Sequence, residues 1–193
     1  MPSYRMQRLA NQLTNAADHA LDAEALRIEA CRLLEAAVGL ERLLGPAEHE
    51  PDPHRYRQHI LHVDPAGRFS VVALVWLPGQ ATPIHDHIAW CVTGVHAGCE
   101  VEQRYEPLSP SGNRPRMLRP TVVALNAPGT VSSLPPLGRD IHRVRCAGDE
   151  RAISLHIYGA DITRLGTSIN VVYDENCAAG VTGNDAGPGH ENG

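Results

Sequence analysis

Apolar positions follow two regimes along the chain. From residue 3 to 45 they recur at helical spacing: Leu9, Leu13, Ala16, Ala17 and Ala20, then Leu26, Ala30, Leu33, Leu34 and Ala37. The pattern predicts helix, with Asn15 or Asp18 as a break between two segments and Gly45-Pro46 as the stop. Ala47 to Arg55 is polar and carries proline, and reads as a linking loop. From Tyr56 the period shortens. Apolar runs at 56–63, 68–77, 83–85, 88–95, 99–105, 116–119, 122–125, 141–145 and 151–158 read as strands. Turn residues separate them at 64–67, 78–79, 109–113 and 127–129. Many short strands with Gly/Pro turns predict an all-β barrel or sandwich with an N-terminal helical cap. The expected divisions are a cap over 1–46, a β-barrel catalytic domain over 47–175 and a flexible tail over 176–193, rich in Gly, Asn and Asp.

Composition narrows the function classes. The chain has 193 residues and a formal net charge of -5, which argues against a protein that coats nucleic acid. The longest apolar run, Val71 to Leu77, suits a buried strand and is too short for a membrane span. Residues 1–8 lead into no secretory signal. The expectation is a cytoplasmic protein, monomeric or a small homo-oligomer, with a small-molecule substrate and no nucleic-acid or membrane partner. Five cysteines at irregular spacing, with no C-x-x-C pair, read as free thiols.

The strongest chemical signal is His85-Asp-His87. Residues i and i+2 of a strand share a face, so two imidazoles aim at one point. Alone, such a pair is more often two surface histidines. His142, alone, reads as a loop histidine, and would count as a third ligand only within a larger histidine pattern. Three neutral imidazoles would leave the whole charge of a divalent metal uncompensated and keep positions open for reactants. Such a set suits iron, and equally zinc. A second signal lies in Ala152–Tyr158. Ser154, His156 and Tyr158 share one face and Ile153, Leu155 and Ile157 the other. A Ser-His-Tyr row can act as a hydrogen-bond relay.

These motifs resemble the cupin superfamily, whose first motif spaces a glycine, H-x-H, an acidic residue and a glycine as Gly79, His85, His87, Cys91 and Gly98 are spaced here. Cys91 stands where the acidic ligand usually does. The second motif pairs a Pro-x-Gly turn with a histidine, as Pro136, Gly138 and His142 do. His142-Arg143-Val144 and Ser154-Leu-His156-Ile-Tyr158 carry the likeness further, and the chain resembles the cysteine dioxygenase family of thiol dioxygenases over roughly sixty per cent of its length, from about Tyr56 to Tyr173. The resemblance implies a double-stranded β-helix (jelly-roll) barrel and mononuclear Fe(II) on His85, His87 and His142. It implies oxidation of a small thiol by O2 to a sulfinic acid, with L-cysteine and 3-mercaptopropionate the leading substrates. It assigns catalytic roles to Tyr158, His156 and Ser154, and makes Cys91 the counterpart of a cysteine that some members link to the relay tyrosine through a thioether. Gln58, two residues after Tyr56, stands where one branch keeps a carboxylate-binding arginine. Arg164, Arg57 and Arg143 are then the cations available for a carboxylate. Tyr56, Trp90 and His62 are candidates to line the pocket or pack the core. Two rivals use the same histidines: a zinc or manganese isomerase or hydrolase, and a non-catalytic cupin that binds a metal or small ligand.

Overall fold

The computed structural model describes residues 3–108, 117–137 and 140–178. In chain order it has helices α1 (Tyr4–His19) and α2 (Ala23–Ala37). Strands β1 (Arg57–Val63), β2 (Ser70–Trp76), β3 (Ile84–His87), β4 (Cys91–Ala97) and β5 (Cys99–Pro107) follow. Then come β6 (Leu118–Asn126), β7 (Val131–Leu134), β8 (His142–Ala147), β9 (Ala152–Tyr158), the short helix α3 (Ile162–Leu165) and β10 (Ile169–Tyr173). The expected tail begins differently: Glu175–Cys177 form a single helical turn and Ala178 bridges Leu118. Residues 179–193, like the turn expected at 109–113 and Gly138 of the second motif, lie outside the described residues.

The helical region breaks at neither Asn15 nor Asp18. It breaks at residues 20–22, where Asp22 accepts a hydrogen bond from the Ala25 N–H at 2.8 Å and starts α2. An aspartate serves better before a helix than inside one, because its carboxylate satisfies an N–H that the helix leaves free. The helix also ends at Ala37, before the Gly45-Pro46 signal.

Two antiparallel five-stranded sheets face each other, in the orders β1-β2-β9-β4-β7 and β10-β3-β8-β5-β6. From β2 onward the chain crosses repeatedly between them, which makes the double-stranded β-helix of the cupin type. The cap packs on the outside of the first sheet. Met6, Leu9, Leu13, Leu26, Leu33 and Leu34 share one core with Val71, Ala73, Val75, Val92, Ile153, Leu155 and Ile157. The first sheet is thus covered on both faces, which explains why β2 and β9 are buried throughout and read as apolar runs. Each fully buried aliphatic side chain here contributes roughly 1.5–3 kcal/mol. Gly94 lets α2 sit this close: a Cβ there would lie 3.0 Å from the side chains of Leu34 and Val38.

The second sheet has one solvent face. Its edge strand β6 leaves Val123 and Leu125 about two-thirds exposed, at 65% and 67%. Pro120 sits inside that strand next to a register shift between Gln103 and Tyr105, so the missing N–H costs no ladder bond. Two runs separated by a proline in the sequence are therefore one strand.

Candidate metal centre

β3 and β8 lie side by side with His85 directly opposite His142. His87, two residues along β3, faces the same way. The ligand atoms of His85, His87 and His142 all fall within 4.8 Å of one another, and all three residues are buried. Each ring has its Nδ1 occupied: His85 on the Pro83 carbonyl at 3.0 Å, His87 on Asp140 Oδ2 at 2.7 Å, His142 on Glu102 Oε1 at 2.9 Å. With those acceptors Nδ1 carries the proton, and each Nε2 is left as a lone pair. Nε2 of His142 is buried with no hydrogen-bond partner among the described residues. An unpartnered imidazole nitrogen in such a place is costly unless it coordinates something. The donor set fits a divalent transition metal with open positions.

Electrostatics keep the rings of His85 and His142 ready as neutral ligands. Burial, then the neighbouring His142 and His87, hold His85 well below the ordinary histidine value. Burial also lowers His142, although its bond to Glu102 pulls the other way. Burial raises Glu102, but the hydrogen bonds from His142 and Arg104 outweigh it and bring the carboxyl to about 2. Glu102 is therefore an anion that can offset part of a bound metal's charge through the ring of His142.

The Ser-His-Tyr row of β9 faces the same chamber. Ser154 Oγ lies 3.0 Å from His156 Nε2, and the Tyr158 hydroxyl lies 3.3 Å from His156 Nδ1. Ser168 lies beside the Tyr158 hydroxyl and acts on it against the effect of burial. The Tyr158 ring stands 5.8 Å from that of His87. Burial, helped by His87 and His142, brings His156 down to about 3, so it is neutral at ordinary pH. Burial, helped by the adjacent Cys91, pushes Tyr158 well above the ordinary phenol value. Cys91 pairs with Tyr158 across β4 and β9, and its sulfur lies 3.9 Å from His156 Nδ1. It is fully buried, and burial raises its thiol further.

A tight cavity of about 20 Å³ adjoins these groups, lined by the three histidines, His156, Tyr158, Trp76 and Thr82, with Tyr56, Gln58, Ser168 and Ile169 at its mouth. Those four mouth residues also line an outer depression of about 830 Å³ that carries Arg55 and Arg57. Tyr56 stacks on Trp76 with ring centroids 4.6 Å apart.

No family model matches the chain. Solved structures resemble it in fold at low identity. A protein from Thermus thermophilus is 22% identical, over 57% of this chain and 89% of its own, with a TM-score of 0.44. A cupin superfamily protein from Desulfitobacterium hafniense is 17% identical, over 63% and 94%, with a TM-score of 0.45. A protein with a double-stranded β-helix domain from Klebsiella pneumoniae is 16% identical, over 70% and 100%, with a TM-score of 0.48.

Several sequence expectations fall elsewhere in space. Arg164 lines neither cavity: it is exposed on α3, where its N–H bonds to Asp161. Arg143 points out of the barrel and pairs with Glu175 at 3.1 Å, because alternation along β8 turns His142 and Val144 inward. Trp90 packs in the core under the helical cap, against Gly159, where a Cβ would collide with its ring. His62 lies with its ring tilted against Phe69, centroids 5.6 Å apart, and lines neither cavity. Sequence reasoning misses three buried residues: Asp140, Glu102 and Glu100. Asp140 lies two residues before His142 and can be found by asking what holds each imidazole. The two glutamates belong to no motif. Among the described residues no helix is long and apolar enough to cross a membrane.

Proposed function

We propose that this chain is a non-haem iron(II) thiol dioxygenase that converts a small thiol and O2 to the sulfinic acid. One observation carries the reading: the Ser154-His156-Tyr158 chain turns into the same chamber as the three histidine nitrogens. A hydrolytic or merely metal-binding barrel would need the three histidines and have no use for a buried phenol held by a neutral imidazole.

His85, His87 and His142 would hold the metal. When bound, Fe(II) would supply a site where a thiolate and O2 meet. The chain's own residues supply the rest. Three uncharged ligands favour an anionic partner, so a thiol gains by losing its proton on arrival. The Tyr158 hydroxyl is in place to hold or pass that proton, with His156 Nδ1 as its support. The chamber admits little more than one water by volume. A thiol whose sulfur reached the histidines would therefore project its carbon chain between Tyr56 and Gln58. Its carboxylate would meet the outer depression, where Gln58 and Arg57 offer N–H donors. Arg57 replaces Arg164 as the cation best placed for that task. L-cysteine and 3-mercaptopropionate both satisfy this outline.

The test is O2 uptake by protein loaded anaerobically with Fe(II), with each thiol in turn and the product weighed. Uptake with addition of both oxygen atoms to the thiol supports the proposal. No uptake from either thiol by iron-bearing protein sinks it for these substrates and favours another metallo-cupin chemistry. Tyr158→Phe separates enzyme from binding module: it should keep the metal and lose about 10²–10⁴-fold in turnover, the range for a lost acid–base group.

A further inference from the structure

The relay does not end at Ser154. Glu100, on β5 in the opposite sheet, turns its carboxyl into the barrel interior beside Ser154 on β9 and Trp76 on β2, both of which act on it as donors. It is 4% exposed, and its Oε1 has no partner among the described residues. The Trp76 indole N–H donates to Ser154 Oγ at 3.2 Å. We propose that Glu100 is the terminal proton acceptor of a chain that runs through Ser154, His156 and Tyr158 to the metal chamber, making it a positioning residue that sets which way the Tyr158 hydroxyl points.

The valences decide this. A serine hydroxyl offers one donor and two acceptor sites, and an indole N–H only donates. With Glu100 ionised, Ser154 donates to the carboxylate and accepts from Trp76 and from His156 Nε2–H. His156 Nδ1 is then bare and accepts the Tyr158 hydroxyl. With Glu100 protonated, Ser154 accepts from Glu100 and Trp76 and donates to His156 Nε2. His156 must then carry its hydrogen on Nδ1 and donate to Tyr158 oxygen, which turns the phenol hydrogen toward the chamber. The donors and acceptors of Ser154, His156 and Tyr158 are matched in both arrangements.

The two differ by one proton. Three hydrogens shift one place each: Tyr158 to His156, His156 to Ser154, Ser154 to Glu100. The Tyr158 oxygen then recovers a proton from the chamber or, by way of the neighbouring Ser168, from the mouth. Glu100 gains the proton and its donor loses it, with no change at the other groups. Since Glu100 is closed off from solvent, Tyr158 is its route.

The carboxyl is suited to the task. Burial, with repulsion from Glu102, outweighs the pull of the Ser154 and Trp76 donors and raises it to about 7. The titratable groups around it are Glu102 on its own strand, Cys146 opposite it on β8, and His156 and Tyr158 on β9. None is a cation at that pH. On the dioxygenase reading, on which this assignment of purpose rests, the proton stored is the one a thiol gives up on binding.

The test needs neither metal nor turnover. In metal-free protein carrying isotope-labelled histidine, NMR of the His156 ring nitrogens reports the tautomer, with the signal assigned by its absence in His156→Gln. Hydrogen on Nε2 above about pH 7 and on Nδ1 below it is the expected result. His156 itself protonates at about 3, well clear of the transition. Glu100→Gln should abolish the switch, and so should Ser154→Ala, which keeps Glu100 and cuts the chain. Circular dichroism checks that each variant is folded. A wild-type His156 with one tautomer across the range, or a Glu100→Gln protein that still switches, overturns the proposal. A switch that is present in protein that oxidises no thiol would instead remove the dioxygenase reading and leave the role of Glu100 standing.

Discussion

Asp140 holds His87 twice, accepting from its ring Nδ1 at 2.7 Å and from its backbone N–H at 3.2 Å. Ring and main chain are fixed by one carboxylate, so His87 has little freedom to turn. Glu102 does the same for the ring of His142 alone. Removing such an acceptor frees the tautomer and weakens ligation by about 10–100-fold. Asp140→Asn and Glu102→Gln should each show that loss in a competition titration against a coloured chelator, with Asp140→Asn the larger because Asp140 serves both the ring and the backbone N–H of His87. Stability should register Glu100 as well. A carboxyl raised to about 7 keeps its proton longer in the folded chain than in the unfolded one. Its contribution is therefore full below the ordinary glutamate value and is lost as pH rises through about 7. Glu102, lowered to about 2, works in the other direction and contributes above the ordinary value, with loss as pH falls toward 2. Urea unfolding of wild type and Glu100→Gln across pH 5–8, a range of about three units chosen to span the transition, should show the neutral variant losing the decline on the alkaline side.

At the scale of elements, α2 decides how well the first sheet is held. Leu34 is fully buried between α2 and β4, against Gly94. Leu34→Ala should cost about 2–5 kcal/mol in chemical denaturation. Asp22→Ala, which removes only a cap, should cost about 1 kcal/mol. Neither should alter metal affinity, since all three ligands lie on the second sheet. The same elements show what a sequence can reveal. β9 is legible because its aliphatic face packs on the cap while its Ser-His-Tyr face turns inward, so alternation and chemistry agree. β5 misleads by the same rule. Its Cys-Glu-Val-Glu start would ordinarily put valine inside, yet Glu100 and Glu102 are 4% exposed. The barrel interior is polar at that point because it must hold the imidazole of His142 and the hydroxyl of Ser154, and a period of two does not say which face is which. β7, Val-Ser-Ser-Leu, has too little apolar character to stand out, whereas β10, Ile-Asn-Val-Val-Tyr, carries a β-branched and aromatic signal from which it could have been found.

For the whole molecule, the site lies where the barrel is least well joined. β2 pairs with β9 along seven residues, and β4 with β9 along six. β3 pairs with β8 in the ladder at one position, His85 with His142, and the segment before β3 extends the seam through Thr82 with Val144, Ala81 with Arg145 and Gln80 with Cys146. A metal held by His85, His87 and His142 would tie β3 to β8 at the place where backbone pairing is thinnest. Binding to the folded chain alone stabilises it by RT ln(1 + [L]/Kd), about 2.7 kcal/mol at a hundredfold excess over Kd. The stabilisation should also be local. Hydrogen exchange in chelator-treated protein should be faster at the amides of β3, β8 and β10 than in metal-loaded protein, while β2, β4 and β9, already covered by the helical cap, change little. Equal protection gained in both sheets would mean that the barrel opens as one unit and that the thin β3–β8 seam is not its weak point. Protection confined to the second sheet would mean that the three histidines close the barrel as well as equip it.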